Sequence, residues 1–591
     1  RPSRLKYFSG PINNLKAGDI MAQPKQPKPT TAAEAFLMAL KANGVDYLFA
    51  NAGTDFAPVI EGLANQGSYS EALPEPLVIP HETAAAAMPH GYYLMTGKPQ
   101  AMMVHVNVGL ANSVMGVINA ASENIPLMVV AGRTPVSEHE RLGARITPIQ
   151  YGQEMYDQGA MVRESTKWDY ELRFPEQAPA VVNRAMTIAM AEPRGPVYLC
   201  LPREPLADAW PEGKEFGAPI QALAATPQPD RAAIAKAAQW IADADYPLMI
   251  AARADVGGKA AEMVAKVAED FAIPVVEAWS IRNTMPSAHP MHGGFDVGPQ
   301  IEKADVIVVL DAMVPWIDKF HAPGPGTKVV HLGSDPLFLS MPVRSFQSDL
   351  AIPGDMAAAM RWMHEELSER ASKNQNRYDS LKEASDARRE TLATRAEAGN
   401  GSPMSHAWMA KCVSDIMDDE AVIFNELGAP LPFMDLKGPN RYFNPPHSGG
   451  LGWGFPAALG ACLADKNRLA IACVGDGSYT FANPLACHMI SNSLDLPILV
   501  IVLNNGVWNA VRRAALALYP DGQASKMNVM PITSLHPSPE YTKIAEANGH
   551  WAERVETGTD LPAALERALD VIKNERRLAL LELNIAVANS A

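Results

Sequence analysis

The chain is poor in the features that would class it at a glance. Its 591 residues hold only five cysteines, Cys200, Cys412, Cys462, Cys473 and Cys487, scattered and without CxxC spacing. That pattern excludes a disulfide framework and the usual zinc-ligand spacings, and it points to buried free thiols in a reducing compartment. No run of about 18 apolar residues occurs, so no membrane span is expected. No charged stretch leading into a short apolar core opens the sequence, so no secretory signal is expected either, and the expected location is cytoplasmic. Basic residues are in deficit: 50 Lys and Arg against 65 Asp and Glu leave a formal net charge of -15. Phosphate-backbone binding draws on clustered basic residues, which argues against a nucleic-acid partner. No short internal repeat marks a solenoid.

What is present is a chain with 48% apolar and 19% charged residues, too long for one hydrophobic core. Short apolar runs alternate with helical patterns, the signature of βαβ units on parallel sheets. Runs at 47–50, 101–104 and 126–130, and the breaker-bounded run at 195–202, mark strands of a first domain over 31–205. A Pro- and Ala-rich linker is expected over 206–228. Runs at 247–251, 306–310 and 329–332 mark a second domain over 229–365. No Gly-x-Gly-x-x-Gly turn follows a strand there, so no dinucleotide site is expected. A charged helical connector over 366–403 leads to a third domain over 404–591, with strands at 469–474 and 498–503. The first 20 residues read as a leader or upstream extension, and 1–30 are set outside the fold. The expected fold class is therefore α/β, three consecutive α/β domains with parallel sheets.

Chemistry concentrates where strands of the third domain end. One stops at Gly475-Asp476-Gly477-Ser478, and a second, after 26 intervening residues, at Asn504-Asn505. Strand carboxyl ends are where open α/β sheets place ligands. Mg²⁺ favours hard oxygen donors and takes one or two protein oxygens together with phosphate oxygens. The Asp476 carboxylate and the Asn505 side-chain carbonyl have that character. Glycines at 475 and 477 allow close backbone approach, and amides at the following helix start suit a diphosphate.

This pair of turns, with Gly449-Gly450-Leu451-Gly452-Trp453-Gly454-Phe455-Pro456 upstream, resembles the diphosphate-binding motif of thiamine diphosphate-dependent enzymes. The similarity is to benzoylformate decarboxylase and to acetolactate synthase-like 2-oxo acid decarboxylases and carboligases. It extends over about 31–590 and implies a pyrimidine-binding, a middle and a diphosphate-binding domain in that order. It implies thiamine diphosphate and Mg²⁺ as cofactors, with Asp476, Asn505 and the Val507 carbonyl as metal ligands. Gly475, Gly477, Ser478 and Trp508 would line the cofactor, with Gly53 and Gly449 near it. Leu451 would wedge beneath it to hold its bent shape. Backbone amides of Gly428 and Ala429 would contact the diphosphate in place of the family's hydroxyl side chains. The family's site lies between the first domain of one subunit and the third of another, which implies a homodimer or a dimer of dimers.

The resemblance continues through His81-Glu82-Thr83-Ala84-Ala85, Gly91-Tyr92 and Thr96-Gly97-Lys98, and makes Glu82 the glutamate that activates the cofactor. By itself, a glutamate in a helix's first turn reports only the helix dipole. His105, 23 residues on, matches an active-site histidine of the decarboxylase branch, and His321 is a candidate second one. Thr54, in Asn51-Ala52-Gly53-Thr54, stands where that branch has a serine for the substrate carboxylate. Histidine suits proton transfer near neutral pH. The expected activity is decarboxylation of a 2-oxo acid to an aldehyde. Acetolactate synthase-like carboligation, a lyase acting on acyl-CoA or hydroxyketone substrates, and a catalytically retired regulatory homologue are the alternatives. FAD, carried by some acetolactate synthases, is not expected.

Overall fold

The computed structural model describes residues 28–65, 70–219 and 221–588. The leader expected over 1–20 lies outside them. As the alternation of apolar runs predicts, the fold is α/β with three six-stranded sheets, each strand parallel to its neighbours. The first sheet contains β1 (Tyr47–Asn51), β2 (Glu75–Val78), β3 (Gln100–Val104), β4 (Leu127–Arg133), β5 (Asp169–Glu171) and β6 (Val197–Pro202), in the order β2-β1-β3-β4-β6-β5. The second contains β7 (Pro247–Ala251), β8 (Val275–Val276), β9 (His292–Gly294), β10 (Val306–Leu310), β11 (Lys328–Gly333) and β12 (Leu350–Pro353), in the order β12-β11-β10-β7-β8-β9. The third contains β13 (Val422–Glu426), β14 (Tyr442–Phe443), β15 (Ala470–Gly475), β16 (Leu499–Asn504), β17 (Trp551–Val555) and β18 (Ala579–Asn584), in the order β14-β13-β15-β16-β18-β17. The outer sheets thus share one connectivity, whereas the middle sheet is doubly wound about β7 and β10.

Helices cover both faces of such sheets, so central strands are buried along their whole length and read as unbroken apolar runs. β3, β7, β10 and β13 are buried at every residue. Eight helices position the functional residues: α1 (Glu82–Thr96), α2 (Val106–Ser122), α3 (Lys259–Phe271), α4 (Met356–Arg370), α5 (Gly454–Ala464), α6 (Asp476–Phe481), α7 (Pro484–Leu494) and α8 (Asn509–Leu518).

The alanine run at 84–87 of α1 has a physical reason. This helix is buried from Thr83 to Leu94, held between α2 and α5. A Cβ added at Gly116 of α2 would lie 2.3 Å from Ala86 Cβ. On the other side, Cβ atoms at Gly91 and Gly460 would lie 2.0 Å from the carbonyl oxygens of Ala457 and Met88. Backbone therefore rests on backbone, and one hydrophobic core runs unbroken from the first sheet into the third. Trp453 Nε1 donates to His90 Nδ1 across the same junction at 3.2 Å, and burial pushes the His90 imidazole down to about 3, so it stays neutral.

The crossing makes a direct prediction. Gly460→Val drives a side chain into backbone that has no rotamer to yield, and overpacking of this kind costs about 1–3 kcal/mol or more. Thermal unfolding of the full chain should begin several degrees lower than in wild type. Gly401→Ala, which meets nothing within 4 Å, should leave it in place; equal behaviour of the two variants would contradict the packing described.

Candidate active site

In the two outer sheets the strand order reverses between the first and third strands, and ligands of open α/β sheets bind in the crevice beyond the strand ends at such a point. In the third sheet that point lies between β13 and β15. β15 ends at Gly475, and α6 begins at once with Asp476. Asp476 is 3% exposed, its carboxylate accepting from Gly477 N at 2.8 Å and from Gly506 N at 2.7 Å. It thereby pins the turn after β15 to the turn after β16. Burial raises its pKa, with the amides of Gly506, Gly477 and Asn505 pulling the other way.

Asn505, half-buried, folds its Oδ1 back onto Val507 N at 3.1 Å, and the Val507 carbonyl accepts from Asn509 N at 2.8 Å. Trp508 lies against α6: a Cβ on Gly477 would meet its ring at 2.2 Å, and the ring stands edge-on to Phe481 at 5.8 Å. Ser478 Oγ is buried on the same helix and faces the Glu426 carboxyl without reaching hydrogen-bond geometry.

β13 ends at Glu426, a fully buried carboxylate that accepts from Gly452 N and Gly454 N, both at 2.6 Å. These bonds shape the glycine-rich loop, which carries exposed Gly449 and half-buried Leu451. Gly452 is needed there for two reasons: its φ is +85°, and a Cβ would lie 2.6 Å from the Phe481 carbonyl oxygen. The amides expected to be free at Gly428 and Ala429 are engaged otherwise. Gly428 N donates to Asn425 Oδ1 at 3.2 Å, and the Ala429 amide is directed at Cys473. Leu427, between them and Glu426, is held at φ +58° with its side chain half-exposed.

In the first sheet the reversal lies between β1 and β3, and the sequence candidates Gly53, Thr54 and His105 meet there. His105 caps the N terminus of α2, with Nδ1 2.5 Å from Asp55 Oδ1 and Nε2 3.2 Å from Gln153 Nε2. Asp55 is 3% exposed, and its second oxygen accepts from Val106 N at 3.3 Å. Two glycines make room: a Cβ at Gly53 would lie 2.1 Å from the His105 ring, and one at Gly132 would lie 1.6 Å from Asp55 Oδ2. Thr54 is exposed on the same turn.

Glu82 opens α1 and is half-exposed, its Oε2 accepting from Asn112 Nδ2 of α2 at 2.7 Å. Sequence reasoning missed Asp55, Asn112, Gln153 and Glu426. Asp55 adjoins a flagged turn, yet only the fold reveals its burial. Gln153 arrives from a loop that no motif marks.

The two clusters stay apart within one chain, and among the described residues no hydrogen bond or ion pair joins them directly. They are related through α2, whose Asn119 donates to Gly450 O at 2.9 Å and accepts from Ser448 Oγ at 2.7 Å. His321 joins neither cluster; on the middle domain, its ring packs against Gly298 and its Nδ1 lies 3.9 Å from Glu302. Among the described residues no group of three or more His, Cys, Asp or Glu side chains has metal-binding geometry. No helix among them is long and apolar enough to cross a membrane.

Glu426 supplies a pH test. Burial pushes its carboxyl up to about 7 from the ordinary value of 4.5, and the amides of Gly454, Gly452 and Trp453 offset that push only in part. Between about pH 4.5 and 7 the folded chain therefore holds a proton that the unfolded chain has released, and stability falls as pH rises through that window. The shift corresponds to about 3 kcal/mol lost across it. Glu426→Gln should remove this contribution from urea-unfolding midpoints measured over the same range. An unchanged pH slope in the variant would show that Glu426 is not the group responsible.

Comparison with known proteins places this geometry in a family. The family models described as thiamine pyrophosphate enzyme N-terminal TPP binding domain, central domain and C-terminal TPP binding domain match residues 30–161, 234–363 and 429–583. Benzoylformate decarboxylase from Pseudomonas aeruginosa is 26% identical over 556 residues, covering 91% of this chain and 96% of that protein. Acetolactate synthase large subunit from Haemophilus influenzae is 22% identical over 581 residues, covering 94% and 95%. The solved structure of a thiamine diphosphate-dependent 4-hydroxybenzoylformate decarboxylase from Rhodococcus jostii superposes with a TM-score of 0.73 at 22% identity, over 95% of this chain and 100% of that one. Matched in order by all three domain models, the chain belongs to the thiamine pyrophosphate enzyme family.

Proposed function

We propose that the chain is a thiamine diphosphate- and Mg²⁺-dependent 2-oxo acid decarboxylase of the benzoylformate decarboxylase type. The observation that carries this reading is the Asp55-anchored His105 at the β1/β3 crevice, a proton-handling group on the same domain as Glu82. The cofactors suit the residues present. Asp476 is a buried carboxylate without a cationic partner among the described residues, Asn505 and Val507 bring neutral oxygens from the adjoining turn, and the Ser478 hydroxyl, beside the Glu426 carboxyl but short of hydrogen-bond geometry with it, suits a phosphate oxygen. Thiamine diphosphate, when bound, supplies the nucleophilic carbon and the electron sink for loss of carbon dioxide.

The chain's own groups then have distinct tasks. Glu82, steadied by Asn112, would present its carboxyl to the aminopyrimidine of a bound cofactor and could hold or release a proton there. Asp55 accepts from His105 Nδ1 and fixes the ring, so that proton traffic passes through Nε2, where Gln153 now sits. Thr54, exposed on the same turn, is assigned to the substrate carboxylate, and His321 to a second proton-transfer role that requires a neighbouring domain to approach it. Leu451 supports the cofactor from the glycine-rich loop, and Trp508 bounds the pocket. Exposed Val108 and Ile118 on α2, and Phe481, Leu485 and Met489 on α6 and α7, flank the two clusters. A second copy of the chain covers these faces and brings Glu82 of one subunit to Asp476 of the other, in a homodimer or dimer of dimers.

Carboligation is the second reading. It is favoured by the acetolactate synthase relative and by the contact between Gln153 and His105 Nε2, which engages the ring nitrogen that would otherwise deliver a proton.

Carbon dioxide release from pyruvate, benzoylformate and branched 2-oxo acids, with products identified by mass, tests both readings. An aldehyde product supports decarboxylation and a longer hydroxyketone supports carboligation; no release from any acid, with cofactor bound, contradicts both. Glu82→Gln should retain Mg²⁺-dependent cofactor binding while turnover falls by about 10²-fold or more. His105→Ala should lower kcat by a similar factor with little change in cofactor affinity. Near-normal turnover in either variant would remove that residue from the mechanism.

A further inference from the structure

The middle sheet has a strand reversal of its own, between β7 and β10, and a cavity of about 270 Å³ opens there. Its walls come from the first and middle domains, and α2, about 25 Å long over its 17 residues, separates its Glu123 wall from His105. Five carboxylates and three guanidinium groups line it. Most are already matched. Arg253 Nε and Nη2 grip Asp311 at 2.7 and 3.0 Å, and Arg194 Nε pairs with Glu192 at 2.9 Å. Asp255 receives Ala260 N and Ala261 N at the start of α3, and Asp355 receives Ala358 N at the start of α4.

Four residues of the cavity wall have a buried polar atom without a hydrogen bond: Arg194, already held by its ion pair with Glu192, and Arg282, Glu123 and Thr284. Arg282 is 8% exposed, its Nε has no hydrogen-bond partner, and its guanidinium forms no ion pair among the described residues. Glu123 is 5% exposed; Arg253 Nη1 stands 3.6 Å from Oε2, which accepts no hydrogen bond. Thr284 Oγ1, also buried, is unpartnered. Buried polar groups are nearly always satisfied, so Arg282, Glu123 and Thr284 together on one cavity call for a complementary ligand. Burial and the adjacent Arg253 charge work against the Arg282 cation more strongly than Glu123, Asp311 and Tyr93 favour it, and an anionic ligand would offset the remainder.

The lining also limits what that ligand is. Carboxylates outnumber guanidinium groups, and the helix starts that would cradle a diphosphate are each occupied by an aspartate of this chain. A ligand with two phosphate charges is therefore disfavoured. One carboxylate for Arg282, together with a protonated amine for Glu123, whose Oε2 accepts no hydrogen bond, fits both the charge and the volume. We propose that this cleft between the first and middle domains is a binding site for a free amino acid, distinct from the active site and independent of the reaction catalysed there.

Isothermal titration of the full chain, with thiamine diphosphate and Mg²⁺ present, tests this using the twenty common L-amino acids as probes. The best binder is then compared with its 2-hydroxy acid and with its decarboxylated amine. Saturable binding at one site per chain is expected, weakened about tenfold or more in both analogues and in Arg282→Met and Glu123→Gln. Glu82→Gln should bind as wild type does. Should Arg282→Met fail to fold, Glu123→Gln and the analogue series still decide the matter. No saturable heat from any amino acid up to about 10 mM, equal binding of the hydroxy acid and amine, or wild-type affinity in Glu123→Gln would overturn the proposal.

Discussion

Gly116 of α2 faces Ala86 of α1 with no room for a side chain between them, and on the opposite side of α1 the backbone of α5 approaches as closely at Gly91 and Gly460. This stack of three helices, in contact along small residues, sets the distances on which the rest depends. α2 begins at His105, holds Glu82 through Asn112, holds the glycine-rich loop through Asn119, and ends at Glu123 beside Arg253. A helix rises about 1.5 Å per residue and bends little over such a length. The spacing between Glu82 and His105, the glycine-rich loop and the interdomain cleft is thus carried by one rigid axis.

The buried acids of the outer domains illustrate a second principle. Asp476 and Glu426 are enclosed without a cation among the described residues and are met mainly by backbone amides. Amides stabilise a carboxylate, yet burial dominates, and both groups have raised pKa values. In Glu426 the enclosed acid shapes a loop. Asp476 sits at a turn where a divalent cation would offset the cost of its burial. Asp55 is buried as deeply, but it meets an imidazole and so fixes a ring.

Much of the fold is legible in the sequence, for identifiable reasons. The apolar runs mark the central strands because helices bury both faces of a parallel sheet. The turn at Gly475-Asp476-Gly477 and the turn at Asn504-Asn505 stand out because each ends such a run. What stays hidden is long-range. Asp55 and His105 are 50 residues apart, and Gln153 reaches the ring from a loop without periodicity. Diphosphate contacts from the Gly428 and Ala429 amides are what the family resemblance implies, but Asn425 and Cys473 engage those amides in the folded chain. His321 stands out by residue type and by its neighbours in sequence, and the fold puts it beside Gly298, away from both clusters. The unmatched Arg282 has no sequence signal, because an arginine between strands reads as a surface residue until its burial is seen.

Whether two copies of the chain each complete the other's site is tested most directly by mixing two inactive variants. Glu82→Gln and Asp476→Ala would be unfolded together and refolded together with thiamine diphosphate and Mg²⁺, and carbon dioxide release measured. Random pairing makes half of the dimers hybrid, each with one site that has both residues intact, so activity should return to about a quarter of wild type. If the mixture forms dimers yet stays as inactive as its components, Glu82 and Asp476 serve one site within a single chain and the shared site is disproved.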